Sequence, residues 1–120
     1  MSERFQFTGP LIQIPVSEVE AERLTDAKPI ISNLSRAMAR ALVVTFDYDG
    51  ERRDVEVHAI GVSSAGNHVM RGWQVERGTW RLFTVDKIED LQLTFVESEA
   101  PRRGYSINDK QMASIISQLG

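Results

Sequence analysis

Apolar and polar side chains alternate in short runs through the middle of the chain, and each run ends at a turn sequence. Alternation with a period of two is typical of strands that bury one face. Asp49-Gly50 and Arg77-Gly78 are turn pairs suited to joining antiparallel strands. We therefore predict a β-meander of four strands over Val43–Tyr48, Arg53–Ile60, His68–Val75 and Thr79–Val85, followed by a fifth alternating strand over Leu91–Val96.

The residues before the meander divide into an arm and two helices. Residues 1–16 alternate aromatic or aliphatic side chains with polar ones, and this predicts an extended N-terminal arm. A capping box at Ser17–Glu20 predicts a short helix over about 17–24. Apolar residues at helical spacing, with Pro29 in the first turn, predict a second helix over 28–40 that leads into the first strand.

The last residues of the chain predict a third helix. Asn108 is a candidate N-cap, and Met112, Ile115, Ile116 and Leu119 follow it at helical spacing. We therefore predict a C-terminal helix over 108–119 and a single domain over 17–120. The fold class is mainly β: a small antiparallel β-barrel or strongly bent sheet, with one helix beside it and the last helix closing one side.

The composition and the absence of catalytic motifs argue against several classes of protein. The chain has 120 residues and no cysteine, which excludes disulfides, zinc–thiolate sites and cysteine nucleophiles. No signal-peptide pattern and no run of membrane-spanning length appear, so we expect a cytoplasmic protein that does not enter a membrane. Neither a nucleophile elbow nor a phosphate-binding glycine loop is present. His58 and His68 lack metal-ligand spacing. We predict no metal, no cofactor and no enzymatic activity.

Charge and aromatic residues point to a binding role in the middle of the chain. The net charge of −3 argues against a general duplex-DNA binder. Trp73 and Trp80 flank the third turn, where they either fill a small core or offer a stacking surface beside an arginine. Arg71 and Trp73 share strand parity and therefore one face. Arg81 shares parity with the apolar residues of the fourth strand, and this places it on the core side near a strand end.

Several motifs resemble one known family. A helix leads into a strand that ends in an aromatic residue over Leu34–Tyr48, Arg53 and Val55 open the next strand, and the Gly72-Trp73 pair ends the third. Residues 81–88 read Arg-Leu-Phe-Thr-Val-Asp-Lys-Ile, close to an Arg-x-Phe-x-Leu-Asp-Arg-Ile element. Together these features resemble the WYL domain family. The resemblance covers just under half of the chain, and the 81–88 element is its most specific part.

The resemblance implies a ligand-sensing module with an Sm-like, SH3-type barrel of five strands. WYL domains belong mostly to bacterial regulators and to proteins tied to phage defence, and the resemblance implies binding of nucleotides or single-stranded nucleic acid. This chain departs from the pattern at His68-Val69-Met70, where the naming triplet falls, and at Thr84 and Lys87, where arginines are usual. Since the residues before the barrel leave no room for a winged helix-turn-helix, we expect a free-standing module of bacterial or phage origin.

Two hypotheses follow for the function. In the first, a nucleotide or short single strand binds through the third and fourth strands: Arg71, Arg81 and Lys87 contact phosphate, Arg77 lies beside them, and Trp73 or His68 contacts a base. In the second, the domain has lost its ligand and acts through protein contacts, as a homodimer, adaptor or inhibitor. The apolar residues of the arm favour this second hypothesis: Phe5, Phe7, Leu11, Ile12 and Ile14.

Overall fold

The computed structural model describes residues 28–120. The predicted arm over 1–16 and the predicted helix over 17–24 lie outside these residues. Helix α1 spans Lys28–Arg40, the range that the apolar spacing predicts. It ends at Ala41, whose backbone is left-handed (φ 56°) and whose amide donates to the Met38 carbonyl. The chain therefore turns directly from the helix into the first strand.

Six antiparallel strands follow the helix. They are β1 (Leu42–Tyr48), β2 (Glu51–Val62), β3 (His68–Gln74), β4 (Thr79–Thr84), β5 (Glu89–Glu97) and β6 (Ser114–Gln118). β1 to β4 confirm the predicted meander, and β5 confirms the predicted fifth strand, although it pairs with β1 and not with β4. Gly50 and Gly78 lie at two of the predicted turns with φ of 78° and 64°, a left-handed conformation that favours glycine. A 3₁₀ turn, Val85–Lys87, separates β4 from β5.

The strands form an open sheet, so the prediction of a closed five-stranded barrel is wrong. The order is β4-β3-β2-β1-β5, with β6 paired to β2 beside this path. The 3₁₀ turn carries the chain from one end of the sheet to the other, and β5 then pairs with β1. Closure would require hydrogen bonds between β4 and β5, and the strand pairing within residues 28–120 does not include them.

The predicted C-terminal helix over 108–119 is also wrong, because Ser114–Gln118 forms strand β6. β1 pairs with β2 as far as Val55, and farther along the same strand the backbone of β2 needs another partner. β6 supplies that partner at Ala59–Val62. Its two adjacent isoleucines are β-branched and suit a strand. Asn108 adopts a left-handed backbone with φ 56°, which is not the extended conformation of a helix N-cap.

The main hydrophobic core lies between α1 and one face of the sheet, which we call the helix face. Leu34 and Ala37 of the helix are fully buried against it. Three aromatic rings, Phe46, Tyr48 and Phe83, pack edge to face with centroids 4.9–6.2 Å apart. These contacts hold β1 and β4 in one core although they are separated in the sheet. The remaining buried members are Val44, Val55, Val57, Ile60, Met70, Val85 and Ile88.

A long connection covers the opposite face of the sheet. Residues 98–113 join β5 to β6, and we call them the strap. The Ser98 amide donates to the Ala41 carbonyl (2.8 Å) at one end, and the Ala113 amide donates to the Val62 carbonyl (2.7 Å) at the other. A second apolar cluster lies between the strap, β6 and the sheet, made of Ala59, Val69, Leu82, Tyr105, Met112 and Ile115. We call this side of the sheet the strap face.

Candidate ligand site under the strap

The register of β3 and β4 separates the predicted site residues onto two faces. Trp73 is paired with Trp80, and Arg71 with Leu82, so these four side chains lie on the strap face. Arg81 is paired with Gly72 and projects to the helix face. The shared face predicted for Arg71 and Trp73 is confirmed, and so is the core-side placement of Arg81. The structure therefore does not bring Arg71 and Arg81 together.

Arg71 is held by two residues of the strap. Its Nε donates to Asp109 Oδ2 (2.7 Å), and its Nη2 lies 3.4 Å from Asp109 Oδ1 and 2.6 Å from Gln111 Oε1. Both members of the ion pair are largely buried, with side-chain exposures of 19% and 11%. The hydrogen bond from Arg71 lowers the pKa of Asp109 although burial acts to raise it. The guanidinium is thus fixed in place by a carboxylate.

A cavity of about 410 Å³ opens beside this ion pair. It is bounded by Arg71 and Trp80 on the sheet and by strap residues 104–110. The Tyr105 hydroxyl donates to the Leu119 carbonyl (2.8 Å), which fixes this ring at the cavity wall. Burial, and the nearby charge of Asp109, raise the pKa of Tyr105, so the phenol stays neutral. One wall is therefore aromatic and another carries a positive charge.

Three more aromatic contacts support the cavity from below. Trp73 and Trp80 meet edge to face with centroids 5.2 Å apart. Trp80 also packs against the His58 ring (4.6 Å), and Tyr105 does so from the strap (5.1 Å). Trp73 is covered on its other side by the Arg102 guanidinium, 5.7 Å from the ring centre. Trp73, Trp80 and Tyr105 are partly exposed and His58 is fully buried, and each ring is held by neighbours, so the aromatic wall is preorganised.

A buried carboxylate lies under the strap and was not predicted from the sequence. Glu56 of β2 is 1% exposed and accepts two hydrogen bonds from Arg102 (2.7 and 3.1 Å) and one from the Glu99 amide (2.8 Å). Burial alone raises the pKa of Glu56, but the Arg102 and Glu99 hydrogen bonds bring it below its usual value. Glu56 is therefore an ionised anchor for the strap. In the sequence Glu56 is a polar position of an alternating strand, and no local signal marks it as buried.

His58 is the second buried polar group of the strap face. Its Nε2 accepts from the Arg102 amide (3.0 Å), so its Nδ1 carries the proton and donates to the Glu56 carbonyl (2.9 Å). Burial lowers the pKa of His58 below its usual value. The imidazole is thus neutral, satisfied at both nitrogens, and serves to position the strap and the Trp80 ring.

A separate group of arginines lies at the turn end of the sheet. Arg53 is 4% exposed and donates to Gln74 Oε1 (2.8 Å) and to the Tyr48 carbonyl (3.2 Å). Its Nη2 lies 3.3 Å from Glu51, whose carboxylate also accepts a hydrogen bond from Arg77. Among the described residues, the Arg53 Nε is a buried nitrogen without a hydrogen-bond partner. The charges of Arg53 and Arg77 are therefore balanced in part by Glu51, at the start of β2.

Arg81, His68 and Lys87 occupy three further positions. Arg81 is 3.4 Å from Asp49 and lies over the Tyr48 ring, 5.2 Å from its centre. His68 begins β3 and is half-buried, and Lys87 is exposed on the 3₁₀ turn. Of the six residues predicted to bind ligand, Arg71 borders the cavity and Trp73 supports it from the same face. The other four lie elsewhere.

Within residues 28–120, no group of three or more His, Asp or Glu side chains could hold a metal ion. No helix in the same range is long and apolar enough to cross a membrane. The cavity is a concave feature at which a charged group and aromatic rings converge.

A family model for the WYL domain matches residues 29–93, which is more than half of the 120-residue chain. The chain belongs to the WYL domain family. The match begins in α1 and ends in β5, so it includes the helix face, both tryptophans and Arg71, but not the strap. WYL domains are generally regulatory and ligand-sensing, and this gives the general role of the domain. No curated protein matches the chain.

The fold is also similar to a solved structure, proteasome accessory factor B/C (PafBC) of Arthrobacter aurescens. The two agree with a TM-score of 0.60 at 12% sequence identity, over 68% of this chain. The matched region is 14% of the PafBC chain, so this WYL domain corresponds to a small part of that protein. At this identity the likeness concerns the fold alone.

Proposed function

We propose that this WYL domain is a regulatory module that binds a nucleotide, or one nucleotide of a short single strand, in the cavity under the strap. The observation that carries the proposal is the convergence of Arg71, Trp80 and Tyr105 on one cavity. A guanidinium recognises phosphate through its planar fork of donors, and an aromatic ring stacks on any base. Binding, rather than catalysis, is the role we assign, and it requires no cofactor.

The dimensions and the electrostatics support the same assignment. A volume of about 410 Å³ lies within the range of about 300–1,000 Å³ that is usual for small-molecule sites. Lys110 borders the cavity as a second cation, beside Arg71. A phosphate at Arg71 would leave the attached base within the aromatic part of the cavity. A nucleotide seated in this way would contact residues of the strap face and not Arg81.

The test compares matched substitutions on the two faces. Arg71→Lys and Arg81→Lys both keep the charge and remove the bidentate fork. Titration calorimetry with the four ribonucleoside 5′-monophosphates should show binding to the unmodified protein, weaker by about 10-fold in Arg71→Lys, the loss expected for a hydrogen bond to a charged group. Arg81→Lys and Lys87→Ala should bind as the unmodified protein does. A thermal-shift screen precedes the calorimetry, because a ligand present at 100 times its Kd stabilises the fold by about 2.7 kcal/mol and so raises the melting temperature.

Two results would contradict the proposal. If Arg81→Lys or Lys87→Ala weakens binding and Arg71→Lys does not, the ligand binds outside the cavity, beside the residue whose substitution weakens binding. If no mononucleotide binds, and short single-stranded DNA and RNA also fail to bind to the folded protein, the nucleotide assignment is wrong.

An interaction surface is the second candidate function, and one observation favours it. Phe95 of β5 is fully exposed and its neighbour Val96 is 61% exposed, on a strand at the end of the sheet. Exposed apolar residues on an end strand are suited to contact with another protein. Sedimentation of the full chain, of Phe95→Lys and of a variant lacking residues 1–14 tests this. A monomeric mass for all three would remove the homodimer from consideration.

A further inference from the structure

We propose that Asp109 is an internal competitor that occupies the place of the ligand's phosphate, and that the ligand that displaces it is a dianionic phosphate rather than a carboxylate. This inference rests on the proposed nucleotide function and names the ligand class and the regulation of that site. The strap would then respond to the ligand, because the residue displaced from Arg71 is a residue of the strap.

The geometry of the ion pair carries the inference. The Asp109 carboxylate accepts from Nε and Nη2 of Arg71, at 2.7 and 3.4 Å. These two nitrogens form an edge of the guanidinium that bidentate anions use. Gln111 Oε1 accepts from the same Nη2 at 2.6 Å. A phosphate can bind to this edge of Arg71 when Asp109 leaves it. The native contact therefore sets a threshold that a ligand must exceed.

Asp109 lies in the strap between points at which the segment is anchored to the sheet, and its neighbour Asn108 shares two hydrogen bonds with Gln118 of β6 (2.9 and 3.1 Å). On its N-terminal side, Arg102 is held by the buried Glu56. On its C-terminal side, Ala113 is hydrogen-bonded to β2. Between these anchors, Asp109 itself holds the local turn: its carboxylate accepts from the Gln111 amide (2.9 Å) and its carbonyl accepts from the Met112 amide (3.0 Å). Displacement of Asp109 would therefore disturb these two amides first.

The selectivity follows from charge. A carboxylate ligand would replace one monoanion at Arg71 by another and would gain little there. A phosphate monoester carries close to two negative charges and three acceptor oxygens, so it can outcompete a carboxylate and also reach Lys110. We therefore expect adenosine 5′-monophosphate to bind more tightly than the matching 5′-carboxylate of adenosine, and we expect Asp109 to lower the affinity for both ligands.

The experiment uses Asp109→Asn with Glu99→Gln as its matched control. Both variants remove one negative charge from the strap, but Glu99 pairs with Arg102 and is 75% exposed. Calorimetry with adenosine 5′-monophosphate should show binding to Asp109→Asn about 10-fold tighter than to the unmodified protein, within the range usual for coupling free energies. Glu99→Gln should change the affinity by less than about twofold, as expected for an exposed pair.

A second measurement on the unmodified protein covers the case in which Asp109→Asn does not fold. Amide exchange at Gln111 and Met112 should become faster when adenosine 5′-monophosphate is bound, because their acceptor has moved. Slower exchange at both amides would overturn the inference. If Asp109→Asn folds and binds adenosine 5′-monophosphate with equal or weaker affinity than the unmodified protein, the inference about Asp109 is wrong and the nucleotide proposal stands. If neither the unmodified protein nor Asp109→Asn binds the nucleotide, both proposals are wrong.

Discussion

Arg102 and Glu56 form a two-point ion pair between the strap and β2, although they are 46 residues apart in the sequence. Arg102 Nε and Nη2 donate to the two carboxylate oxygens of Glu56 at 2.7 and 3.1 Å. The Glu99 amide supplies a third donor at 2.8 Å. Because the Arg102 amide also donates to His58, one residue of the strap hydrogen-bonds to both buried polar groups that β2 places on the strap face. This pair fixes the strap at the edge of the candidate site.

Glu56→Gln should destabilise the fold. The amide keeps the size of the side chain but loses the charge and places a donor against the Arg102 guanidinium. We expect the free energy of unfolding in urea to fall by about 1–3 kcal/mol, the range for hydrogen bonds to charged groups. Glu99→Gln is the control, since its carboxylate is exposed and 3.5 Å from Arg102, and it should cost less than about 0.5 kcal/mol. Equal losses in both variants would contradict the buried-anchor role of Glu56.

The Glu56 carboxylate should also make the free energy of unfolding depend on pH in the acidic range. The pKa of Glu56 is lower in the folded protein than the ordinary value of 4.5, so the unfolded chain binds the proton first as the pH falls. The stabilisation by Glu56 is therefore present above pH 4.5 and is lost as the pH falls through the folded pKa. Unfolding measured from neutral pH down to about pH 3 should show the unmodified protein and Glu56→Gln converging in acid. A constant difference between them would contradict the lowered pKa.

Gly72→Ala should disrupt the packing of β3 on the helix face. A Cβ at this position would be 2.3 Å from Val55 Cγ1 and 3.0 Å from Met70 Sδ, and Gly72 lies in the middle of a paired strand. We expect a loss of about 1–3 kcal/mol, as for other overpacked cores. The double variant Gly72→Ala with Val55→Ala should lose less than the sum of the two single variants, because the clashing methyl is gone. Additive losses in denaturant unfolding would locate the strain elsewhere.

The sequence predicted the elements that local patterns decide. The bounds of α1, and those of the first five strands to within two residues, followed from apolar spacing and from turn pairs such as Asp49-Gly50. β6 was missed because its conformation depends on an open stretch of β2 more than 50 residues earlier. Met112 and Ile115 do contribute to packing, but from a loop and a strand. Helical spacing over so few residues does not distinguish these cases.

The candidate site was predicted only in part, and for the same reason. Strand parity gave the shared face of Arg71 and Trp73 correctly, since parity is a local property. The partners of those residues lie in the strap, and Asp109 is 38 residues from Arg71. Glu56 and His58 were expected to belong to an alternating strand, whose polar positions usually face solvent. A bulge in the β2–β3 pairing and a covering strap bury both of them instead.

The cavity predicts how affinity varies with the length of a nucleic acid. Its volume of about 410 Å³ suits one nucleotide, and the strap bounds it on one side. We therefore expect the dissociation constants of a mononucleotide and of single strands of two to six nucleotides to agree within about threefold, after correction for the number of equivalent binding positions on each strand. Proteins with extended grooves differ, because each stacked base adds to their affinity. Fluorescence anisotropy competition with a thymidylate series measures this. A steep increase with length would indicate a longer binding groove.

His58 predicts a second pH dependence, in a milder range. Its pKa is lowered in the folded protein relative to the ordinary 6.5, so between that value and the folded pKa the unfolded chain binds a proton that the native state does not. Stability should therefore decrease as the pH falls below about 6.5, by at most about 1.4 kcal/mol per pH unit from this one group.

His58→Gln isolates this contribution to stability. Glutamine can donate to the Glu56 carbonyl and accept from the Arg102 amide, but it does not titrate. Its free energy of unfolding should change less between pH 7 and about pH 5.5 than that of the unmodified protein. An NMR titration that shows the His58 ring of the native protein taking up a proton near pH 6.5 would contradict the prediction, because the strap would then rest on a charged imidazole.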